Sequence, residues 1–301
     1  GEDASDAVSD TRFASNDEIY YNIASILKYV PFCRHIYIVT DNQQPEFLNE
    51  FVTQGLCDAD KIRVVDHREI FAGYEQFLPT FNTRSIESML WNIQGLSDYF
   101  IYLNDDFFFN AEAKIEDFLE NDSIVTYGHW KSCLSYKTKL KYRKFLNRHF
   151  NKPIQPGHVI GQMLGADILG FKDFFEIHHY PHCVDRKILS EYLLSHPDLL
   201  ETQIKYKFRS VEQLNPISLM NHLKIQKKEA VLKPDLTLAY LKNAESLNDF
   251  VSALDQDNIK YGCIQSLDQL TQSDAEQVKN AMLKKLEGYL PQSVMSTQEI
   301  A

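Results

Sequence analysis

Two adjacent carboxylates, Asp105 and Asp106, follow the apolar run Phe100-Ile101-Tyr102-Leu103 and its terminal Asn104. Ligands of open α/β sheets sit beyond the carboxyl ends of strands. A pair of aspartates there could hold a hard divalent cation, which would bridge the oxygens of a diphosphate. The same pair could equally cap the next element. A second cluster is His178-His179-Tyr180-Pro181-His182-Cys183-Val184-Asp185-Arg186, with three of the chain's ten histidines in five residues. It admits a zinc site, although no second spaced ligand pair follows it. It also admits a histidine general base beside arginine charge, or a plain surface loop ahead of a helix starting near Arg186. A third, Lys205-Tyr206-Lys207-Phe208-Arg209-Ser210, alternates cations with aromatics. It reads as an exposed edge strand or as a clamp for phosphate oxygens.

The elements that must position these groups alternate over the first 110 residues. Ser15 and Glu18 have capping-box spacing, and Ile19, Ile23, Ile26 and Leu27 form a helical stripe behind them. Residues 35–40 (HIYIVT) predict a buried strand, followed by a turn at 41–45 and a short helix through Phe51. Residues 61–66 (KIRVVD) predict a second strand. Leu78-Pro79-Thr80-Phe81-Asn82 opens a helix with Ile86, Met89, Leu90 and Ile93 inward, and 99–103 predicts a third strand. The alternation implies an α/β fold with a largely parallel sheet. Beyond about residue 120 the pattern is mainly helical, over 137–149, 186–195, 211–222 and 274–288. The runs 230–232 and 236–241 return to the sheet.

With 44% hydrophobic residues and 301 positions, the chain can bury one large core or two smaller ones. A net charge of -11 argues against nonspecific nucleic-acid binding. Residues 131–152 break that trend with eight Lys and Arg and no acid. This run is either a solvated helix face or a surface for an anionic partner: nucleotide, phosphodiester polymer or membrane headgroups. Five scattered cysteines without CxxC spacing suggest free thiols in a reducing cytoplasm. No apolar run is long enough to span a bilayer. The start at Gly1 instead of Met suggests a processed or partial chain.

The order of these signals resembles the Stealth family. Arg12-Phe13, Asn16-Asp17-Glu18, Val39-Thr40-Asp41-Asn42-Gln43-Gln44-Pro45, Leu78 to Asn82 with Ile86-Glu87, and Phe100 to Asp106 are similar to its second conserved block. His179-Tyr180-Pro181-His182 with Asp185-Arg186, and Lys207-Phe208-Arg209, resemble the third. Lys260-Tyr261-Gly262-Cys263 and the helix after it resemble a weakened fourth. The family's first block, an apolar strand ending in a Trp-Val-Asp/Asn turn, has no match before Arg12. Gln265-Ser266 stands where the fourth block has Asn-Asp.

The resemblance implies a glycosyltransferase-A-like (Rossmann-like) core and a mainly helical second half. It divides the chain into a nucleotide-sugar-binding core at 1–120, a variable basic insertion at 121–178, the rest of the catalytic domain at 179–292, and a tail at 293–301. It implies transfer of hexose-1-phosphate from a UDP-sugar, such as UDP-GlcNAc, to a carbohydrate hydroxyl with release of UMP. Bacterial members do this in capsule and exopolysaccharide synthesis; an animal member makes the lysosomal mannose-6-phosphate tag. Asp105 and Asp106 would hold Mg2+ or Mn2+, and His179 would be the base. Arg209 and, secondarily, Arg186 would face the transferred phosphate. Arg12, Asn82, Glu87, Asn104 and His182 would shape the substrate site. Expected partners are the UDP-sugar and a carbohydrate or phosphodiester-polymer acceptor, without nucleic acid. The expected place is the cytoplasm, peripheral to the inner membrane or capsule machinery. A noncatalytic sugar-binding relative and a conventional UDP-releasing glycosyltransferase are the alternatives.

Overall fold

The computed structural model describes residues 17–152, 154–265 and 267–296. Arg12, Phe13, Ser15 and Asn16, and with them the expected capping box, lie outside the described residues. Helix α1 (Glu18–Tyr29) instead starts at Asp17, and its apolar stripe buries Ile23 and Ile26 in the core. Strands β1 (Ile36–Thr40) and β2 (Ile62–Asp66) pair in parallel, Ile36 with Ile62 through Thr40 with Asp66. Helix α2 (Glu50–Thr53) lies in their crossover. Helix α3 (His67–Ile70) follows, its first turn capped by Asp66 accepting from the Arg68 N–H at 2.8 Å. The helix expected after Asn82 is short: α4 (Thr83–Glu87) gives way to a 3-10 turn at Leu90–Asn92.

Strands β3 (Tyr99–Tyr102) and β4 (Phe107–Phe109) flank the aspartate turn. Then come β5 (Leu119–Glu120), β6 (Ser123–Tyr127), β7 (His129–Ser132), α5 (Cys133–Phe150), α6 (His158–Ile168), β8 (Asp173–Glu176) and β9 (His182–Asp185). The remainder is α7 (Arg186–Ser195), α8 (Pro197–Ile204), α9 (Pro216–Lys227), β10 (Ala230–Lys233), β11 (Leu238–Leu241), α10 (Leu247–Leu254), β12 (Tyr261–Ile264), α11 (Gln272–Lys285) and α12 (Gln292–Ser296).

The fold is mixed α/β, but the expected largely parallel sheet is not what these strands form. They pair in short separate ladders. β1–β2, β6–β10 and β11–β12 are parallel, whereas β3–β9, β4–β12, β5–β6 and β7–β8 are antiparallel. Each parallel pair is joined by a connection long enough to hold a helix, as parallel pairing requires. The second half has the strands expected near 230–232 and 236–241, β10 and β11, but is less helical than expected, since it also contains β6 to β9 and β12. Helix α9 begins at Pro216, not near 211, because Asn215 caps it (Ser218 N–H to Asn215 Oδ1, 2.7 Å) and a proline fits the first helical position.

One core cluster runs from α1 through α12 and includes residues of both halves. A smaller one, Cys133, Leu140, Ile160, Met163, Ala166 and Phe174, lies under α5 and α6. No described helix is long and apolar enough to cross a membrane.

Candidate active site

A broad cleft of about 2600 Å³ opens between the two halves, and Asp105, Asp106, His179 and Arg209 all line it. The aspartate turn is fixed from below. Asn22 of α1 donates to the Asn104 and Phe107 carbonyls at 3.0 and 2.8 Å. The Ile264 N–H donates to the Asp106 carbonyl at 2.9 Å, which ties the turn to β12. Within this frame the Asp106 carboxylate is poorly compensated. Cys263 Sγ donates to Oδ2 at 3.5 Å, while Oδ1 is buried and accepts no hydrogen bond. Burial, and then the neighbouring Asp105 charge, push the Asp106 carboxyl up to about 6. A buried, orphaned carboxylate oxygen beside a second, exposed carboxylate fits a hard divalent cation held by Asp105 and Asp106.

His179 sits across the cleft, its ring 4.2 Å from that of His158 and 6.5 Å from Phe107. Neither of its ring nitrogens makes a hydrogen bond among the described residues. Burial first, then the charges of Arg209 and His178, hold this imidazole below its ordinary pKa, so it stays neutral. His182 does not face the cleft as a substrate group. Its Nε2 meets the His178 carbonyl at 2.9 Å, and burial lowers its pKa to about 4. It braces the loop that presents His179. With Glu87, Tyr102 and Asn104 it lines a small pocket behind the cleft. There the Tyr102 hydroxyl bonds Glu87 Oε1 at 2.8 Å and Asn104 Oδ1 at 2.7 Å. Burial raises the Glu87 carboxyl, with Arg209 and Arg84 opposing.

Arg209 reaches the cleft from an irregular segment, not from the edge strand that its alternation allows. Asn82 explains why. Its Nδ2 donates to the Tyr206 and Phe208 carbonyls (3.1 and 2.9 Å) and to Gln213 Oε1 (2.9 Å), so side-chain bonds replace a ladder. Phe81 N donates to the Lys207 carbonyl at 2.9 Å, and the Phe81 and Phe208 rings stack. Asn82, expected to shape the substrate site, is fully buried and so would act from beneath, by holding the segment that carries Arg209. The guanidinium donates to Thr83 Oγ1 at 3.2 Å and is otherwise exposed.

The family model described as Stealth protein CR2, conserved region 2, matches residues 12–127. The chain belongs to the Stealth family. This Stealth protein is 41% identical over 115 residues to the capsular polysaccharide phosphotransferase cps1A of Actinobacillus pleuropneumoniae, covering 38% of the chain and 29% of that relative. It is 30% identical over 213 residues to the exopolysaccharide phosphotransferase SCO6021 of Streptomyces coelicolor, 71% of the chain and 36% of the relative. The capsular polysaccharide phosphotransferase LcbA of Aeromonas hydrophila is 39% identical over 129 residues, 43% and 33% respectively. The matched part spans about a third of each relative's length.

Not every residue of the family pattern reaches the cleft in this Stealth protein. Arg186, expected as a second clamp, donates instead to the Trp91 and Leu96 carbonyls, both at 2.7 Å. Asp185 caps α7 through the Ile188 N–H (3.0 Å) and pairs with the buried Lys224 (3.0 Å). Both hold β9 and α7 to the core. Cys263, Tyr102, Thr83 and His158 were not singled out as site residues. Cys263 and Tyr102 carried a signal, as parts of the weakened fourth block and of the second; Thr83 and His158 carried none. Gln265 lies on the cleft rim, held by the Tyr240 hydroxyl at 2.5 Å.

Proposed function

We propose that this Stealth protein moves a hexose-1-phosphate, of N-acetylhexosamine type, from a UDP-sugar to a hydroxyl of a capsular or exopolysaccharide acceptor. The observation that carries the reading is the convergence of two carboxylates, a neutral imidazole and a guanidinium on one cleft, from positions a hundred residues apart. Phosphoryl transfer asks a protein mainly for positioning and charge neutralisation, and these groups supply both. The names of the relatives, capsular and exopolysaccharide phosphotransferases, support the same chemistry.

In this reading His179 accepts the proton of the acceptor hydroxyl, for which a depressed pKa keeps it ready at neutral pH. The acceptor oxygen bonds to the sugar-bound phosphorus, and the bond from that phosphorus to the UMP oxygen breaks. The sugar C1–O bond is untouched, so anomeric configuration is retained. Arg209 neutralises the equatorial phosphoryl oxygens. A Mg2+ or Mn2+ held by Asp105 and Asp106 would neutralise the diphosphate and the departing oxygen. Glu87, Tyr102 and Asn104 fix the shape of the floor.

The finer expectations belong to this proposal: a glycosyltransferase-A-like core, a basic insertion at 121–178 that steers an anionic acceptor, and a cytoplasmic site beside the inner membrane. All five cysteines are unpaired thiols, as suits a reducing compartment. A second reading, a sugar-binding relative without turnover, is favoured by Gln265 standing where the family has Asn. Identifying the nucleotide released from a UDP-N-acetylhexosamine by the full-length protein separates them. UMP supports transfer, UDP means glycosyl transfer, and binding without release means the noncatalytic relative.

A further inference from the structure

A second group of donors stands at the rim of the cleft, apart from the aspartate pair. His129 comes from β7, His178 from the loop after β8, and Asp235 from the turn after β10. One donor atom of each lies within 4.8 Å of the others. His129 Nδ1 is 2.6 Å from Asp235 Oδ2, and His178 Nε2 is 3.5 Å from Asp235 Oδ1. Donors bound about 2.1 Å from one tetrahedral ion stand roughly 3.4 Å apart, so small side-chain rotations suffice. The surroundings are also those of a ligand set. Behind His129, the buried Glu176 faces the other ring nitrogen, with Oε2 3.8 Å from Nε2, and is itself neutralised by Lys131. A carboxylate behind an imidazole fixes its tautomer and orientation, a common support of metal-binding histidines. Asp235 has the Tyr180 hydroxyl 3.5 Å from Oδ1, anchored by a 3.1 Å bond to the Leu236 carbonyl.

We propose that His129, His178 and Asp235 form a zinc site. Two imidazoles and one carboxylate suit this borderline ion better than Mg2+. All three side chains are partly open to solvent, which leaves a fourth position for water. The histidine run at 178–183 thus has a metal reading after all, through partners it does not contain. Cys183 is buried in β9 and His182 bonds a carbonyl, so neither joins. The ion would tie β7, the 177–181 loop and the end of β10 together one residue from His179. It would set that imidazole's position without touching substrate.

The test is a titration of the chelator-stripped full-length protein with Co2+, read by its visible absorption and then displaced by Zn2+. One equivalent is expected. His129→Ala, His178→Ala and Asp235→Ala should each abolish the band, with unchanged circular dichroism. Glu176→Gln should weaken binding about tenfold. The double variant Asp105→Asn, Asp106→Asn should bind Co2+ normally, which keeps this site separate from the transfer proposal. Absence of a band in the wild type, its persistence in the triple variant, or its loss in the double aspartate variant would each overturn the assignment.

Discussion

Asp106 illustrates how a reactive group departs from what stability alone would select. Its carboxyl, raised to about 6, binds its proton more tightly in the folded than in the unfolded chain. Stability is therefore lost as pH rises from the ordinary carboxylate value through about 6, and the whole penalty is present at neutral pH, up to about 3 kcal/mol. Asp106→Asn should hold or raise the thermal midpoint measured in chelator, and should reduce turnover measured with Mg2+ at least about a hundredfold. His179→Ala should lose turnover similarly without unfolding the protein. Wild-type turnover in either variant removes that residue from the mechanism. At this scale the sequence was informative for Asp105, Asp106, His179 and Arg209, which all line the cleft. It was misleading for Arg186, a block match whose guanidinium bonds backbone carbonyls of a remote segment instead. No spacing rule reports such partners.

Among the elements, the parallel pair β1–β2 and the helices α5, α7 and α11 were legible, since periodicity and caps lie within a short window. Helix α6 was not. Gly161 and Gly165 weaken its helical signal, yet they are there for contact: an added Cβ would sit 3.0 Å from Arg84 Nη2 and 3.2 Å from Leu219 N. Strand β4 was missed because Phe107, Phe108 and Phe109 are all buried and show no alternation. Helix α9 supports a pH prediction. His222 Nε2 accepts from the Phe175 N–H at 2.9 Å, so the proton is on Nδ1, which donates to the Ser218 carbonyl at 2.7 Å. Burial lowers this imidazole to about 4. The unfolded chain then binds the extra proton first, and stability should fall as pH drops from about 6.5 to about 4, by the order of 3 kcal/mol. A His222→Gln variant should show a flatter profile in urea melts across that range. An unchanged slope would contradict the buried neutral form. Asn82→Ala should cost about 2 kcal/mol and lower kcat through the displaced Arg209, measured by urea melts and turnover together.

The whole molecule is acidic, yet α5 offers Lys139, Lys141, Lys144 and Arg148 to solvent around the exposed Leu134, Tyr142 and Phe145. This charge contrast was readable from sequence; what it packs on was not, because Cys133 and Leu140 meet partners from α6 and β8. Changing Lys139, Lys141 and Lys144 to Glu should raise KM for a long anionic acceptor about tenfold at low salt. It should leave kcat on a short neutral acceptor alone, and the difference should shrink as salt rises. The mouth of the cleft has another property. Arg84 donates to the Pro156, Gly157, Ser210 and Gln213 carbonyls at 2.9 to 3.2 Å, and Asn82 and Gln213 stitch the same stretch from the other side. Irregular in outline, the 206–213 stretch is thus held through its carbonyls by buried side chains. The amides of Ser210 and Gln213, bonded to Gln213 Oε1 and the Ser210 carbonyl, should exchange with deuterium slowly, and a donor nucleotide would meet an entrance already in its final shape, with arrival set by diffusion instead of by the opening of a gate.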